Sequence, residues 1–61
     1  MVNKMSNAAV RGEDIWAGAG DQDISEAIAV YGSIEAAAQA AVEITGGDAS
    51  DVVAYLEFAQ N

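Results

Sequence analysis

Apolar residues recur at helical spacing in three stretches of the chain between residues 23 and 60. The first stretch begins at Asp23, a helix-capping residue type, with Glu26 three residues later as in a capping box. It ends at Gly32, because glycine commonly follows the last residue of a helix. Its apolar stripe consists of Ile24, Ala27, Ile28 and Tyr31. This spacing predicts an amphipathic helix.

The second stretch begins at Ser33 as its cap and ends at Gly46 and Gly47. Its polar face is expected to expose Glu35, Gln39 and Glu43. Its inward face is expected to contain Ile34, Ala37, Ala38, Ala41 and either Ile44 or Thr45. Because alanine is small, we expect this helix to approach its neighbours closely and to be the central one.

The third stretch begins at Asp48, which is expected to cap it. Asp51 and Glu57 are expected to face water, and the pattern leaves the side of Phe58 open. The inward face is expected to contain Val52, Val53, Leu56 and Ala59. Connections of one to three residues between the stretches favour tight packing of successive helices. The sequence therefore predicts an all-α fold, a compact bundle of three short helices.

The first 22 residues lack a comparable pattern. Ser6 is a candidate cap for a short turn ended by Gly12, and a frayed terminus is the alternative. Further glycines at positions 18 and 20 interrupt any periodicity. We therefore predict one domain of residues 1–61, with an irregular arm and loop over 1–22 and a helical core over 23–61. We expect Trp16 to cover that core, and the alternative is that it faces a partner.

Composition limits the size of this domain and its compartment. A chain of 61 residues forms one small core, and much of its 52% hydrophobic content is alanine. There are no cysteines, so no disulfide stabilises the fold. No apolar run resembles a signal peptide or a membrane span. We therefore expect a soluble, cytoplasmic protein.

Charge is the most informative feature of the composition. The chain has ten acidic and two basic residues, for a formal net charge of −8. Both bases, Lys4 and Arg11, precede all ten acids. Binding to phosphate backbones or anionic membranes requires Lys or Arg, so neither direct nucleic-acid binding nor membrane binding is expected.

Candidate catalytic and metal-binding residues are scarce. Histidine and cysteine are absent, so an ordinary nucleophile and base pair is missing, and we expect no enzyme activity and no cofactor. Asp21, Asp23 and Glu26 are close enough in sequence to suggest a cation site. The remaining ligands of an EF-hand loop are missing, and capping explains two of the three acids. We therefore expect no metal site.

The segment YGSIEAAAQAAVEITGG, Tyr31 to Gly47, resembles the opening of helix-turn-helix domains of the Fis type. In those domains a Tyr-Gly-Ser turn leads into an alanine-rich helix and a second glycine turn. Their recognition helix carries basic and hydroxyl residues, whereas this chain has Asp48, Asp51 and Glu57 there. The resemblance implies a shared helical turn without DNA binding, and a generic helical turn is the alternative interpretation.

Small size and a surface of one charge sign together resemble another class, the phage-encoded anti-CRISPR proteins and related DNA mimics that inhibit bacterial defence nucleases. The resemblance implies a partner that is a basic nucleic-acid-binding protein, such as a subunit of a CRISPR surveillance complex. It further implies a monomeric inhibitor in the cytoplasm of the bacterial host. The residues expected to replace phosphates are Asp21, Asp23, Glu26, Glu35, Glu43, Asp51 and Glu57.

Two other hypotheses remain open from the sequence. The chain can be a helical interaction module whose contact patch is apolar and centred on Trp16, Tyr55 or Phe58, with acidity serving solubility alone. It can also be an antitoxin or regulator that lacks the usual basic arm. Steep salt dependence of binding is expected for mimicry and not for an apolar contact.

Overall fold

The computed structural model describes residues 4–20 and 23–60, and over these residues every regular element is an α-helix. The helices are α1 (Asn7–Gly18), α2 (Ile24–Tyr31), α3 (Ile34–Thr45) and α4 (Ala49–Gln60). The all-helical, compact prediction is confirmed, with a Cα radius of gyration of 10.5 Å. The predicted number of three helices is wrong, because α1 occupies most of the segment that was expected to be irregular.

Helix α1 begins where a cap was considered but does not end at Gly12. The Ala9 N–H donates to the Ser6 hydroxyl at 3.1 Å, so Ser6 is the N-cap. Gly12 lies inside the helix and is buried against α4. Glycine at this position therefore serves close helix packing, whereas the sequence pattern suggested a helix end.

The predicted boundaries of the next two helices are confirmed. The Glu26 N–H donates to the Asp23 carboxylate at 3.0 Å, and the Ala36 N–H donates to the Ser33 hydroxyl at 3.0 Å. Between them, Gly32 has a φ of 97°, in the left-handed region that favours glycine. Two adjacent residues, Gly32 and Ser33, therefore end α2 and begin α3.

The core is small, and α4 makes the most extensive packing contacts in it. Val52 and Leu56 are its largest fully buried side chains. Helix α4 packs against all three other helices, most extensively against α1, and α3, which was expected to be central, also packs against all three but less extensively. Trp16, 7% exposed, covers the core as expected. The remaining buried hydrophobic side chains all belong to alanines, namely Ala9, Ala27, Ala37, Ala38 and Ala41.

Several residues expected to face inward are exposed, and most of them lie in the last turn of a helix. Ile44 is 62% exposed and Tyr31 is 44% exposed. Thr45 and Ala59 are also exposed. The apolar period continues past Ala41 in α3 and past Leu56 in α4, but the small core does not extend that far. Within residues 4–20 and 23–60, none of the helices combines the length and apolarity needed to cross a bilayer.

Candidate acidic interaction surface

The first two described acids of the predicted site lie at the start of α2. Asp23 is exposed, and its carboxylate caps the helix by accepting the Glu26 N–H. Glu26 is exposed in the first turn, where a carboxylate favours the positive end of the helix dipole. Asp21, the third acid predicted for this region, lies outside the described residues.

Helix α3 carries a row of exposed polar side chains. Glu35, Gln39 and Glu43 are all exposed and follow one another at intervals of four residues. One such interval advances about 6 Å along the helix axis, so the two carboxylates share a face about 12 Å long. Glu35 stands in the first turn, but Glu43 stands near the end, where the helix dipole disfavours an anion. Helix stability therefore explains the first carboxylate but not the second.

Asp51 was expected to face water, but most of its side chain is covered and its carboxylate is paired with Arg11. Its Oδ2 accepts from Arg11 Nε at 3.0 Å, and its Oδ1 accepts from Arg11 Nη2 at 3.3 Å. The Asp51 side chain is only 13% exposed, against 61% for Arg11. The hydrogen bond to Asp51, followed by the charge of Asp51, raises the pKa of Arg11. This ion pair exists because α1 packs on α4, a contact that an irregular arm would not have made.

Asp48 caps α4 as expected. Its Oδ1 accepts from the Ser50 N–H at 3.0 Å and from the Ser50 hydroxyl at 2.8 Å. These two hydrogen bonds lower the pKa of Asp48, and the bond from the Ser50 hydroxyl has the larger effect. The remaining acid of the predicted site, Glu57, is exposed near the end of α4.

Sequence reasoning missed two further exposed helical acids, Glu13 and Asp14, which lie on α1. They were expected in a structured loop or a short strand, because Gly12, Gly18 and Gly20 were interpreted as interrupting any helical period. A helical signal was nevertheless present, since Ala9, Gly12 and Trp16 recur at spacings of three and four and form the buried stripe of α1.

The acidic surface, as the term is used below, is the set of exposed carboxylates contributed by all four helices. None of the four described helices has a basic residue in its last turn. The only bases in the sequence are Lys4 and Arg11, and Arg11 is bonded to Asp51. The members of the acidic surface are Glu13, Asp14, Asp23, Glu26, Glu35, Glu43, Asp48 and Glu57.

The apolar residues considered for an alternative contact patch have different environments. Trp16 is buried and therefore not a surface contact. Its indole N–H has no hydrogen-bond acceptor within the part of the chain that the structure describes. Tyr55 is half-buried against the core, and only Phe58, at 36% exposure, belongs to the surface. The more exposed apolar side chains, Val30 at 71% and Ile44 at 62%, were not predicted.

Residues 4–20 and 23–60 contain no group of three or more His, Cys, Asp or Glu side chains arranged to hold a metal ion. Searches against known protein families, curated protein sequences and solved structures find no match for this chain.

Proposed function

We propose that this chain is a non-enzymatic inhibitor that binds a basic, nucleic-acid-binding protein through the acidic surface, in place of nucleic acid. The observation that carries the proposal is the position of the exposed carboxylates. They lie on all four helices, and the only bases in the sequence are Lys4 and Arg11. A subunit of a CRISPR surveillance complex that binds target DNA is one example of such a basic, nucleic-acid-binding partner.

Helix stability alone would favour a different distribution of charge. A cation in the last turn of a helix contributes about 0.3–1 kcal/mol, and a Glu–Lys pair four residues apart contributes about 0.2–0.5 kcal/mol. None of the four helices in the described part of the chain has a basic last turn, and the sequence has no base after residue 11. Unrelieved repulsion lowers the stability of the free protein, and a basic partner would remove it on binding.

The row of polar side chains on α3 supports the proposal that carboxylates replace phosphates. Glu35 and Glu43 project from one exposed face, two intervals of about 6 Å apart, so the pair would replace every second phosphate of a strand, with Gln39 at the position between them. A carboxylate accepts two parallel hydrogen bonds from an arginine guanidinium, as a phosphate does. Binding of this kind requires no base-specific contact.

The test compares two double variants of equal net charge. E35Q/E43Q removes the α3 carboxylates while keeping side-chain size. The control A17K/Q60K adds two cations at exposed positions in the last turns of α1 and α4, which the helix dipole tolerates. Each protein is immobilised and used to capture proteins from bacterial lysate at low and high salt, and bound proteins are then challenged with duplex DNA.

We expect the parent to capture a nucleic-acid-binding protein that is released by salt and by duplex DNA. We expect E35Q/E43Q to lose most of this capture and A17K/Q60K to keep it. Equal loss in both variants would show that only net charge matters. Capture that resists both salt and DNA would contradict the proposal.

A second candidate function is an interaction module that uses apolar contacts. The exposure of Val30 and Ile44 supports it, because an apolar partner would bury these two large aliphatic side chains. Binding of this kind would persist at high salt and in E35Q/E43Q. The same capture experiment therefore separates the two functions.

A further inference from the structure

Helix α2 is apolar in sequence but poorly buried. Its residues are ISEAIAVY, all apolar except Ser25 and Glu26. Only Ala27 is buried. Val30 is 71% exposed and Tyr31 is 44% exposed, so the end of the helix presents two large apolar side chains to solvent. Among the described helices, α2 packs on α3 and to a lesser extent on α4, but not on α1.

Two exposed carboxylates, those of Asp23 and Glu26, lie at the start of the same helix. Glu26 and Val30 are four residues apart and are therefore neighbours on the helix surface. Asp23 lies at the opposite end from Tyr31, about 12 Å away along the axis. A partner lying along α2 would thus meet negative charge at one end and apolar surface at the other.

Charge decides which occupant fits this face. A second copy of the chain also carries a net charge of −8 and would bring its own Asp23 and Glu26 to the contact. A basic amphipathic segment instead offers cations to the carboxylates and apolar groups to Val30 and Tyr31.

We propose that α2 receives a basic amphipathic segment of the partner, with Val30 and Tyr31 as its apolar anchors and Asp23 and Glu26 as its charged contacts. This inference rests on the proposed function, because it takes the partner to be basic. It assigns to α2 the apolar contact that carboxylates alone would lack, and it explains why an apolar helix is left exposed.

The experiment uses two labelled synthetic peptides and fluorescence anisotropy. One is a helical peptide of leucine and lysine with the leucines on one face, and the other is an oligolysine with the same number of lysines. Both are titrated with the parent, with Val30→Ser and with Tyr31→Ser. Ile44→Ser is the matched control, since Ile44 is a similarly exposed aliphatic residue at the end of α3. Circular dichroism verifies that each variant is folded.

We expect the parent to bind the leucine–lysine peptide about tenfold more tightly than oligolysine, which is the effect of burying about one aliphatic side chain. Val30→Ser should abolish most of this advantage, and Tyr31→Ser should reduce it. Ile44→Ser should change it by less than about twofold, which is well below the effect of one buried aliphatic side chain.

Three outcomes would overturn the inference, and one of them also affects the proposed function. Unchanged binding by both α2 variants, or equal weakening by Ile44→Ser, would show that α2 is not the apolar contact. Salt-sensitive binding of both peptides would then leave the proposed function standing. Failure of the parent to bind either peptide at low salt would contradict both proposals.

Discussion

Gly12 of α1 lies directly against the backbone carbonyl of Asp51 in α4. The same segment of α1 places Arg11 beside the carboxylate of Asp51, so one short stretch supplies both a close backbone approach and an ion pair. Gly47 meets Ile15 further along α1, which shows that α1 and α4 run antiparallel. Attachment of α1 to α4 therefore depends on the absence of a side chain at position 12.

We predict that Gly12→Ala destabilises the protein. A Cβ at this position would lie 2.6 Å from the Asp51 carbonyl carbon and 2.9 Å from the Tyr55 Cβ, so the helices must separate. Overpacking of this kind costs about 1–3 kcal/mol, a large part of the stability of so small a domain. Thermal unfolding followed by circular dichroism measures the loss.

Gly18→Ala is the matched control for this prediction. An added Cβ would lie 3.4 Å from the Thr45 Cγ2, an ordinary contact, and alanine is favoured over glycine in a helix by about 0.5–1 kcal/mol. The melting temperature should therefore rise or stay unchanged. A similar fall in both variants would show that the α1–α4 approach is not the cause.

Leu56→Ala should unfold the domain or loosen it severely. The Leu56 side chain is fully buried in the core, with 0% solvent exposure, and it lies within α4. Truncating a buried leucine costs about 2–5 kcal/mol. Ile44→Ala is the comparison, because Ile44 is 62% exposed and its truncation should leave the melting temperature nearly unchanged. If the two variants melt alike, Leu56 is not a core residue.

Acid stability should depend on Asp48. Its pKa in the folded chain lies below the ordinary 3.8 because Ser50 donates two hydrogen bonds to the carboxylate. A lowered folded pKa contributes stability that is present above pH 3.8 and is lost as the pH falls through the folded value. Relief of repulsion among the other carboxylates acts in the opposite direction as they become protonated. We therefore expect maximal stability near about pH 4–5, measured as melting temperature against pH.

Asp48→Asn separates these two effects. Asparagine caps a helix about as well as aspartate but does not titrate. The variant should lose less stability than the parent between about pH 4 and pH 2, while the rise from neutral pH should persist. An identical acid-side loss in both proteins would exclude Asp48 as its source.

Added salt should stabilise the isolated protein at neutral pH. Salt screens the repulsion within the acidic surface, and it also screens the attraction between Arg11 and Asp51. Repulsion involves many more groups, so its relief should dominate. The melting temperature should rise between about 0.01 M and 0.5 M NaCl, and E35Q/E43Q should rise less. A fall in melting temperature with salt would show that attractive pairs govern this surface.

Local sequence patterns predicted α2, α3 and α4 well because their boundaries are set by local chemistry. Asp23, Ser33 and Asp48 each accept a hydrogen bond from a backbone N–H two or three residues later. The start of each helix is therefore determined by a few residues that are adjacent in the sequence. The role of Gly12, in contrast, is determined by a contact that is distant in the sequence. Its role depends on Asp51, 39 positions later, and no local pattern distinguishes a packing glycine from a terminating one.

The same distinction applies to the acidic surface. The excess of acids and the exposure of Glu35 and Glu43 follow from composition and helical period. The removal of Asp51 from that surface, and the addition of Glu13 and Asp14 to it, required knowing that α1 is a helix packed on α4. Charge content was therefore predictable from the sequence, whereas the allocation of individual charges depended on tertiary contacts.

Burial of Trp16 gives the molecule an internal optical reporter. It is the only tryptophan in the chain and belongs to the core to which all four helices contribute, 7% exposed, so its emission should shift to longer wavelength when α1 separates from that core. The proposed contact residues of α2 and α3 lie at the surface. A partner that binds at these residues would therefore leave the Trp16 emission unchanged. A variant that loses binding because it unfolds would shift the emission to longer wavelength.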